Sequence, residues 1–119
     1  MFYNCNSLTT LDLSNYFNTS NVTDMSWMFT NCKSLNKLDL SNFNISNVTT
    51  MSYMFYGCEL LTELDLSNFD ISNVPGMNGM FAGCSSLRII KCTNETKRIL
   101  LSKNANTSLL PDNITWEII

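Results

Sequence analysis

The side chains with the most reactive chemistry in this chain are five cysteines, four of which recur at an almost constant spacing. Cys5, Cys32, Cys58 and Cys84 are separated by 27, 26 and 26 residues, and Cys92 follows after eight more. The spacing contains no C-x-x-C pair and does not match a zinc site. An odd number of thiols at equivalent positions also argues against a disulfide framework. We therefore predict a row of buried, reduced cysteines that act as small hydrophobic side chains.

A second candidate is a row of three carboxylates, Asp12, Asp39 and Asp65, each of which lies in a copy of the sequence LDLSN. On neighbouring strands of a parallel sheet such groups lie about 4.8 Å apart. One interpretation is a cation site, although calcium usually takes about six or more oxygen ligands from a shaped loop. The other is a solvated face that presents the carboxylates to a partner. We favour the second interpretation, and we expect neither a metal ion nor a cofactor.

The sequence contains few other residues that could support catalysis. The chain of 119 residues has no histidine, which excludes Ser-His-Asp and Cys-His catalysis and every zinc site that needs this residue. We therefore expect no enzymatic activity. Only 14% of the residues are charged and the net charge is −3, which argues against nucleic acid as a partner. No apolar run approaches the ~18 residues that a transmembrane segment needs.

These side chains recur because the sequence itself repeats. Met-Phe pairs begin at positions 1, 28, 54 and 80, and three copies nearly superimpose: MFYNCNSLTTLDLSNYFNTSNVTDMSW, MFTNCKSLNKLDLSNFNISNVTTMSY and MFYGCELLTELDLSNFDISNVPGMNG. Between Met25 and Cys32 the apolar residues follow an i, i+3, i+4, i+7 spacing, which predicts a short helix. The alternation in Leu38-Asp39-Leu40 predicts a short strand whose carboxylate faces away from the core.

A repeat of about 26 residues cannot bury its apolar side alone, so neighbouring repeats must stack around one continuous core. The sequence therefore predicts an α/β repeat solenoid, with one short parallel strand and one short helical turn in each coil. Residues 1–86 supply three and a fraction repeats. Residues 87–119 leave the pattern and predict a C-terminal cap, with a helix that begins near Thr93 and a final strand over 114–119.

The first residues of the chain have no counterpart of this cap. The sequence opens in mid-repeat, on the apolar pair Met1-Phe2. We expect the chain to be a fragment of a longer array. The alternative is that the open N-terminal end pairs with another chain, which makes self-association possible.

The candidates for partner binding are side chains that point outward and differ between repeats. Lys37 and Glu63 occupy equivalent positions beside the predicted strands, next to the carboxylate row. On the other side of the coil, Trp27 and Tyr53 fall outside the Met/Phe/Cys stripe, as do Tyr3 and Tyr56. Exposed Trp and Tyr are common anchors in binding surfaces. Ordinary packing between neighbouring turns is the alternative interpretation of these rings.

The pattern MFxxCxSLxxLDLSNFxxSNVTxMSxMF, which covers residues 1–87, resembles the BspA-like leucine-rich-repeat surface proteins and the repeat of mycoplasma-type surface lipoproteins. The resemblance implies a leucine-rich-repeat-like solenoid and a location at the cell surface or in the secreted fraction. Such proteins are associated with adhesion to host proteins or to other cells, and no catalytic residues are known for them. The pattern departs from ordinary leucine-rich repeats at Phe43 and Phe69, which stand where an asparagine is usual.

The residues and the resemblance together lead to one expected function. We expect a non-catalytic recognition or adhesion module that binds a protein or glycan partner on host or neighbouring cells through the face of the solenoid. Two alternatives stay open. One is an architectural spacer in a surface protein, and the other is an intracellular scaffold for protein interactions.

Overall fold

The fold was analysed in a computed structural model, which describes residues 2–11, 13, 18–107 and 110–119, with the backbone alone for 104–107. The described part contains five strands and one helix. In chain order these are β1 (Thr10–Leu11), β2 (Lys37–Leu38), β3 (Glu63–Asp65), β4 (Ile89–Cys92), α1 (Asn94–Thr107) and β5 (Thr115–Ile118).

The strands form two parallel sheets whose register follows the sequence repeat. In β1 and β2, Thr10 pairs with Lys37, 27 residues later. In the second sheet, Ile89 of β4 lies between Glu63 of β3 and Thr115 of β5, at steps of 26 residues. Equivalent residues of successive repeats therefore lie side by side. One strand per repeat predicts a single continuous sheet. Within the described residues this sheet is interrupted, because β2 does not pair with β3.

The segment predicted to be a short helix, from Met25 to Cys32, forms tight turns instead. The amide of Thr30 donates to the carbonyl oxygen of Trp27 at 3.1 Å, three residues back, whereas an α-helix bonds four residues back. The φ angles of Trp27 and Asn31 are 65° and 59°, in the left-handed region that ends a right-handed helix. The apolar spacing indicated the buried side correctly, but turns that bond every three residues produce nearly the same spacing as a helix.

The amides left over by these turns bond to the next repeat. The amide of each repeat's Phe donates to the carbonyl oxygen of the next repeat's Met, at 2.8 to 2.9 Å in three successive steps. The bonds join Phe2 to Met28, Phe29 to Met54 and Phe55 to Met80. The turn side of the stack therefore carries a backbone ladder of its own, which continues past the point where the sheet is interrupted.

A column of aromatic rings fills the core behind this ladder. Phe55 is stacked between Phe29 and Phe81, with ring centroids 5.7 Å from each and the planes within 6° of parallel. All three rings are fully buried. Phe2 extends the column at 5.5 Å from Phe29. The Phe of each repeat therefore packs on its own equivalents above and below, and the column ties four successive repeats together.

The cysteines form a second column beside the rings. The thiol of each buried cysteine in the repeats donates to the carbonyl oxygen of the preceding repeat's Phe, at 2.9 to 3.1 Å; these are Cys32, Cys58 and Cys84. Cys92 is also buried, Cys5 is half-buried, and all five are free thiols. The prediction of buried, reduced cysteines is thus confirmed for four of the five.

Burial of these thiols is expected to make the fold lose stability at alkaline pH. It raises the pKa of Cys84 to about 12 and raises the pKa of Cys58 as well. In the unfolded chain the thiols ionise near a pKa of about 8.5. Above that pH the unfolded state releases protons that the folded state keeps, so the free energy of unfolding falls, by up to ~1.4 kcal/mol per pH unit for each thiol.

Urea unfolding between about pH 7 and pH 11 measures this loss. The control is the variant Cys58→Ala/Cys84→Ala, in which the decline should be shallower because two of the responsible groups are gone. A decline equally steep in the wild type and in this variant would contradict the assignment.

The C-terminal segment forms both elements predicted for it. The hydroxyl of Thr93 accepts the amide of Thr96 at 3.1 Å, which caps the start of α1. The hydroxyl of Thr96 donates to the carbonyl oxygen of Phe69 at 3.1 Å, and Leu100 is fully buried against the core. The helix is therefore fastened to the third repeat, while β5 extends the sheet by one more step.

Candidate recognition surfaces

Two surfaces carry the residues singled out by the sequence. The first, here called the aromatic surface, consists of Tyr3, Trp27, Tyr53 and Tyr56 on the turn side. Tyr3, Trp27 and Tyr56 are 53%, 45% and 41% exposed, and Tyr53 is half-buried. Trp27 stacks on Tyr53 with centroids 4.4 Å apart, while Tyr3 meets Trp27 edge-on at 6.4 Å and Tyr56 meets Tyr53 edge-on at 6.0 Å. The four rings form one continuous patch across three repeats.

The backbone beneath the two central rings is held by bonds on both sides. Before Trp27, the carboxylate of Asp24 accepts the amide of Ser26 at 2.8 Å, and this bond holds the pKa of Asp24 below its usual value. The amide of Trp27 donates to the carbonyl oxygen of Ser52 at 3.1 Å. The amide of Tyr53 donates in the same way to Asn78, at 2.8 Å. These bonds therefore hold the backbone from which both rings project.

Both central aromatics have a left-handed backbone. The φ angles of Trp27 and Tyr53 are 65° and 60°, and Gly79, at the same position of the next repeat, has a φ of 59°. This conformation costs an L-residue with a Cβ about 1–2 kcal/mol, and it is an outlier for bulky side chains. A Cβ on Gly79 would lie 2.6 Å from the Tyr53 ring. The ring of Tyr53 therefore packs directly over this glycine.

The second surface, here called the strand-face cleft, is lined by residues of β1, β2 and β3 and by residues next to these strands. It has a volume of about 780 Å³. Its lining residues are Thr10, Leu11, Asn36, Lys37, Leu38, Asp39, Thr62, Glu63 and Asp65. Four of the seven residues that the sequence assigned to partner binding thus meet in one cleft. Trp27 and Tyr53 meet in the aromatic surface, and Asp12 lies outside the described residues.

The two described members of the carboxylate row stabilise turns. Asp39 accepts the amide of Ser41, and Asp65 accepts the amide of Ser67, each at 2.9 Å. The second oxygen of Asp65 lies 4.0 Å from the ammonium group of Lys91. Within the described ranges no group of three acidic, cysteine or histidine side chains is placed to hold a metal ion. These contacts support the interpretation of the row as a solvated face.

Two features of these surfaces were missed by the sequence analysis. One is the left-handed backbone of Trp27 and Tyr53, for which the available signal was Gly79 at the equivalent position. The other is the interruption of the sheet, which exposes Leu38 partly although its equivalent Leu64 is buried. The repeat pattern around these two leucines is nearly identical, so it contained no signal for the interruption.

Comparison with known proteins gives one family. Residues 1–100 match the family described as a Mycoplasma protein of unknown function, DUF285. No significant match was found among curated proteins or among solved structures. In the part of the chain that the structure describes, no helix is long and apolar enough to cross a membrane.

Proposed function

The chain belongs to the Mycoplasma DUF285 family, whose function is unknown, and we propose that it is a non-catalytic recognition module that binds its partner on the aromatic surface. We further propose that its stacked repeats form a leucine-rich-repeat-like solenoid displayed at the cell surface, as the resemblance to BspA-like surface proteins implies. An intracellular scaffold is the alternative location, and protease treatment of intact cells separates the two.

The observation that carries this proposal is the strained backbone under an exposed ring, Trp27, and a half-buried ring, Tyr53. Gly79 adopts the same left-handed conformation without cost, so the fold needs neither Trp27 nor Tyr53 at this position. Backbone strain that the fold does not need is typical of functional sites. Trp and Tyr are also the side chains that most often contribute the binding energy of an interface.

The surroundings of the rings favour a partner with an uncharged contact surface. The residues that precede the left-handed position in three repeats are Ser26, Ser52 and Asn78, which are neutral hydrogen-bonding groups. The hydroxyls of Ser26 and Thr50 lie 3.0 Å apart beside the rings. Stacked rings flanked by neutral polar groups fit a neutral glycan or an uncharged patch of a protein.

Binding to two panels tests the proposal. One panel contains neutral and acidic oligosaccharides, and the other contains purified extracellular glycoproteins before and after enzymatic deglycosylation. We expect the wild type to bind at least one member, and we expect the variant Trp27→Gly/Tyr53→Gly to bind it at least about tenfold more weakly, since it lacks both anchors. Binding that survives deglycosylation assigns a protein partner, and binding that is lost assigns a glycan.

The matched control is Leu60→Ser. Leu60 is half exposed and lies outside the aromatic surface, and the equivalent residues of the other repeats are Ser7, Ser34 and Ser86. This variant should bind as the wild type does. If the wild type binds no member of either panel, or if the glycine variant binds equally well, an architectural spacer is the better account.

A further inference from the structure

The strand-face cleft breaks an otherwise continuous set of cross-repeat hydrogen bonds. On the turn side, the amide of Met25 bonds to Thr50, and the amide of Met51 bonds to Gly76, so the second and third repeats are joined there. On the strand side, β2 is paired only with β1, and β3 only with β4, among the residues described. The two repeats are therefore in register on the turn side and unpaired between β2 and β3. The side-chain amide of Asn68, just after β3, joins them again by donating to three carbonyl oxygens within residues 40–43, at 2.9 to 3.2 Å.

The separation leaves one edge of β3 open. Toward β4, the carbonyl oxygen of Thr62 accepts the amide of Ile89 at 3.3 Å, and the amide of Leu66 donates to Lys91 at 2.7 Å. Backbone groups of a strand point alternately to its two neighbours. The N–H and C=O groups of Glu63 and Asp65 therefore point the other way, toward β2 and into the cleft.

The lining of the cleft includes apolar and charged side chains. Leu11 and Leu38 pack against the core and are partly exposed in the cleft. Lys37 stands on the β2 side and Glu63 on the β3 side, and neither makes an ion pair within the described part of the chain. With Asp39 and Asp65 included, the cleft contains one cationic and three anionic side chains, so it is electronegative.

We propose that the strand-face cleft binds an extended peptide segment with basic side chains, which pairs with the open edge of β3. Pairing with an open strand edge is a known mode of peptide recognition, with main-chain bonds for affinity and alternate side chains for specificity. A peptide in this position places one set of side chains beside Leu38, since Leu11 lies on β1, on the far side of β2. Its other set lies beside Glu63 and Asp65, where positive charge is favoured. The volume of about 780 Å³ lies in the range of ligand pockets.

The first test is amide hydrogen exchange on the free protein. The amides of Glu63 and Asp65 should exchange at least about tenfold faster than the amide of Leu66, which is bonded to β4. Equal protection of the three amides would contradict the proposal, because the edge would then be closed in solution. Protection that rises with protein concentration would also contradict it and would assign the cleft to a second copy of the chain.

The second test adds a defined probe, the blocked hexapeptide Lys-Val-Lys-Val-Lys-Val. It should slow exchange of the Glu63 and Asp65 amides without changing that of Leu66. The Glu-Val analogue should bind at least about tenfold more weakly, and Glu63→Gln should weaken the Lys-Val peptide about threefold, as expected for one exposed charge pair. A Lys-Val peptide with N-methylated backbone amides is the matched control.

Two outcomes of this titration would contradict the proposal. Equal binding of the N-methylated peptide would overturn strand pairing and leave only charge attraction. Absence of added protection at Glu63 and Asp65 with the Lys-Val peptide would overturn the site. Because the probes do not contact the aromatic surface, the variant Trp27→Gly/Tyr53→Gly should bind them as the wild type does, so this proposal and the proposed function fail separately.

Discussion

Replacing Phe55 by alanine is expected to lower the free energy of unfolding by about 3–5 kcal/mol, the range found for large aromatic side chains removed from a core. Phe55 is fully buried and its ring contacts Phe29 and Phe81 in the repeats on either side. Alanine removes the ring from the middle of the column and leaves a cavity there. It also breaks two stacked aromatic pairs, each of which contributes about 0.5–1.5 kcal/mol beyond the buried area.

Urea unfolding followed by circular dichroism measures this change. Because a domain of this size has only about 5–15 kcal/mol of stability, Phe55→Leu serves as a milder second variant and should lose less than the alanine variant. Leu60→Ala is the control, since Leu60 is half exposed, and it should change stability by no more than about 0.5 kcal/mol. A loss below about 1 kcal/mol for Phe55→Ala would mean that the column does not join the repeats.

Gly83→Ala is expected to destabilise the fold by about 2–4 kcal/mol, although it adds a single methyl group. The φ angle of Gly83 is 76°, which costs a residue with a Cβ about 1–2 kcal/mol. The added Cβ would also lie 3.2 Å from the Cα and the amide nitrogen of Gly57 in the preceding repeat. Backbone atoms cannot move aside as a flexible side chain can, and overpacking of this kind costs about 1–3 kcal/mol.

The matched control for this prediction is Asn31→Gly, at the equivalent position two repeats earlier. Asn31 has a φ of 59°, so glycine relieves the backbone there instead of straining it. The control should stay within about 1 kcal/mol of the wild type in the same urea titration. If Gly83→Ala were equally well tolerated, the close approach of the two repeats at Gly57 would be wrong.

The sequence predicted those parts of the fold that depend on the repeat period and on burial. The 26-residue period equals the strand register between Glu63 and Ile89, and the recurring Phe and Cys residues form the two columns in the core. The helix after Thr93 was predicted because its cap is a local sequence signal. For the register and the columns the physical cause is the need to bury one side of every repeat, and for the helix it is a hydrogen bond between neighbouring residues of the chain.

Other features could not be predicted, because apolar spacing shows which side is buried and does not show where the amides bond. For this reason the segment from Met25 to Cys32 was predicted as a helix and forms turns with cross-repeat bonds. The interruption between β2 and β3 has a similar origin. It depends on how whole repeats pack against each other, and the sequences around Leu38 and Leu64 are nearly the same.

Measuring both the free energy of unfolding and the partner binding of the variant Trp27→Gly/Tyr53→Gly tests the central claim most directly. Glycine relieves the left-handed strain of about 1–2 kcal/mol at each position. It also removes the stacked pair and the apolar area that the rings bury, and it raises the entropy of the unfolded chain, so the gain and the losses offset each other. The account predicts a free energy of unfolding within about 1 kcal/mol of the wild type, together with at least a tenfold loss of partner binding. A variant that binds normally, or one that loses about 3 kcal/mol or more of stability, would contradict it, because the rings would then serve the fold and not recognition.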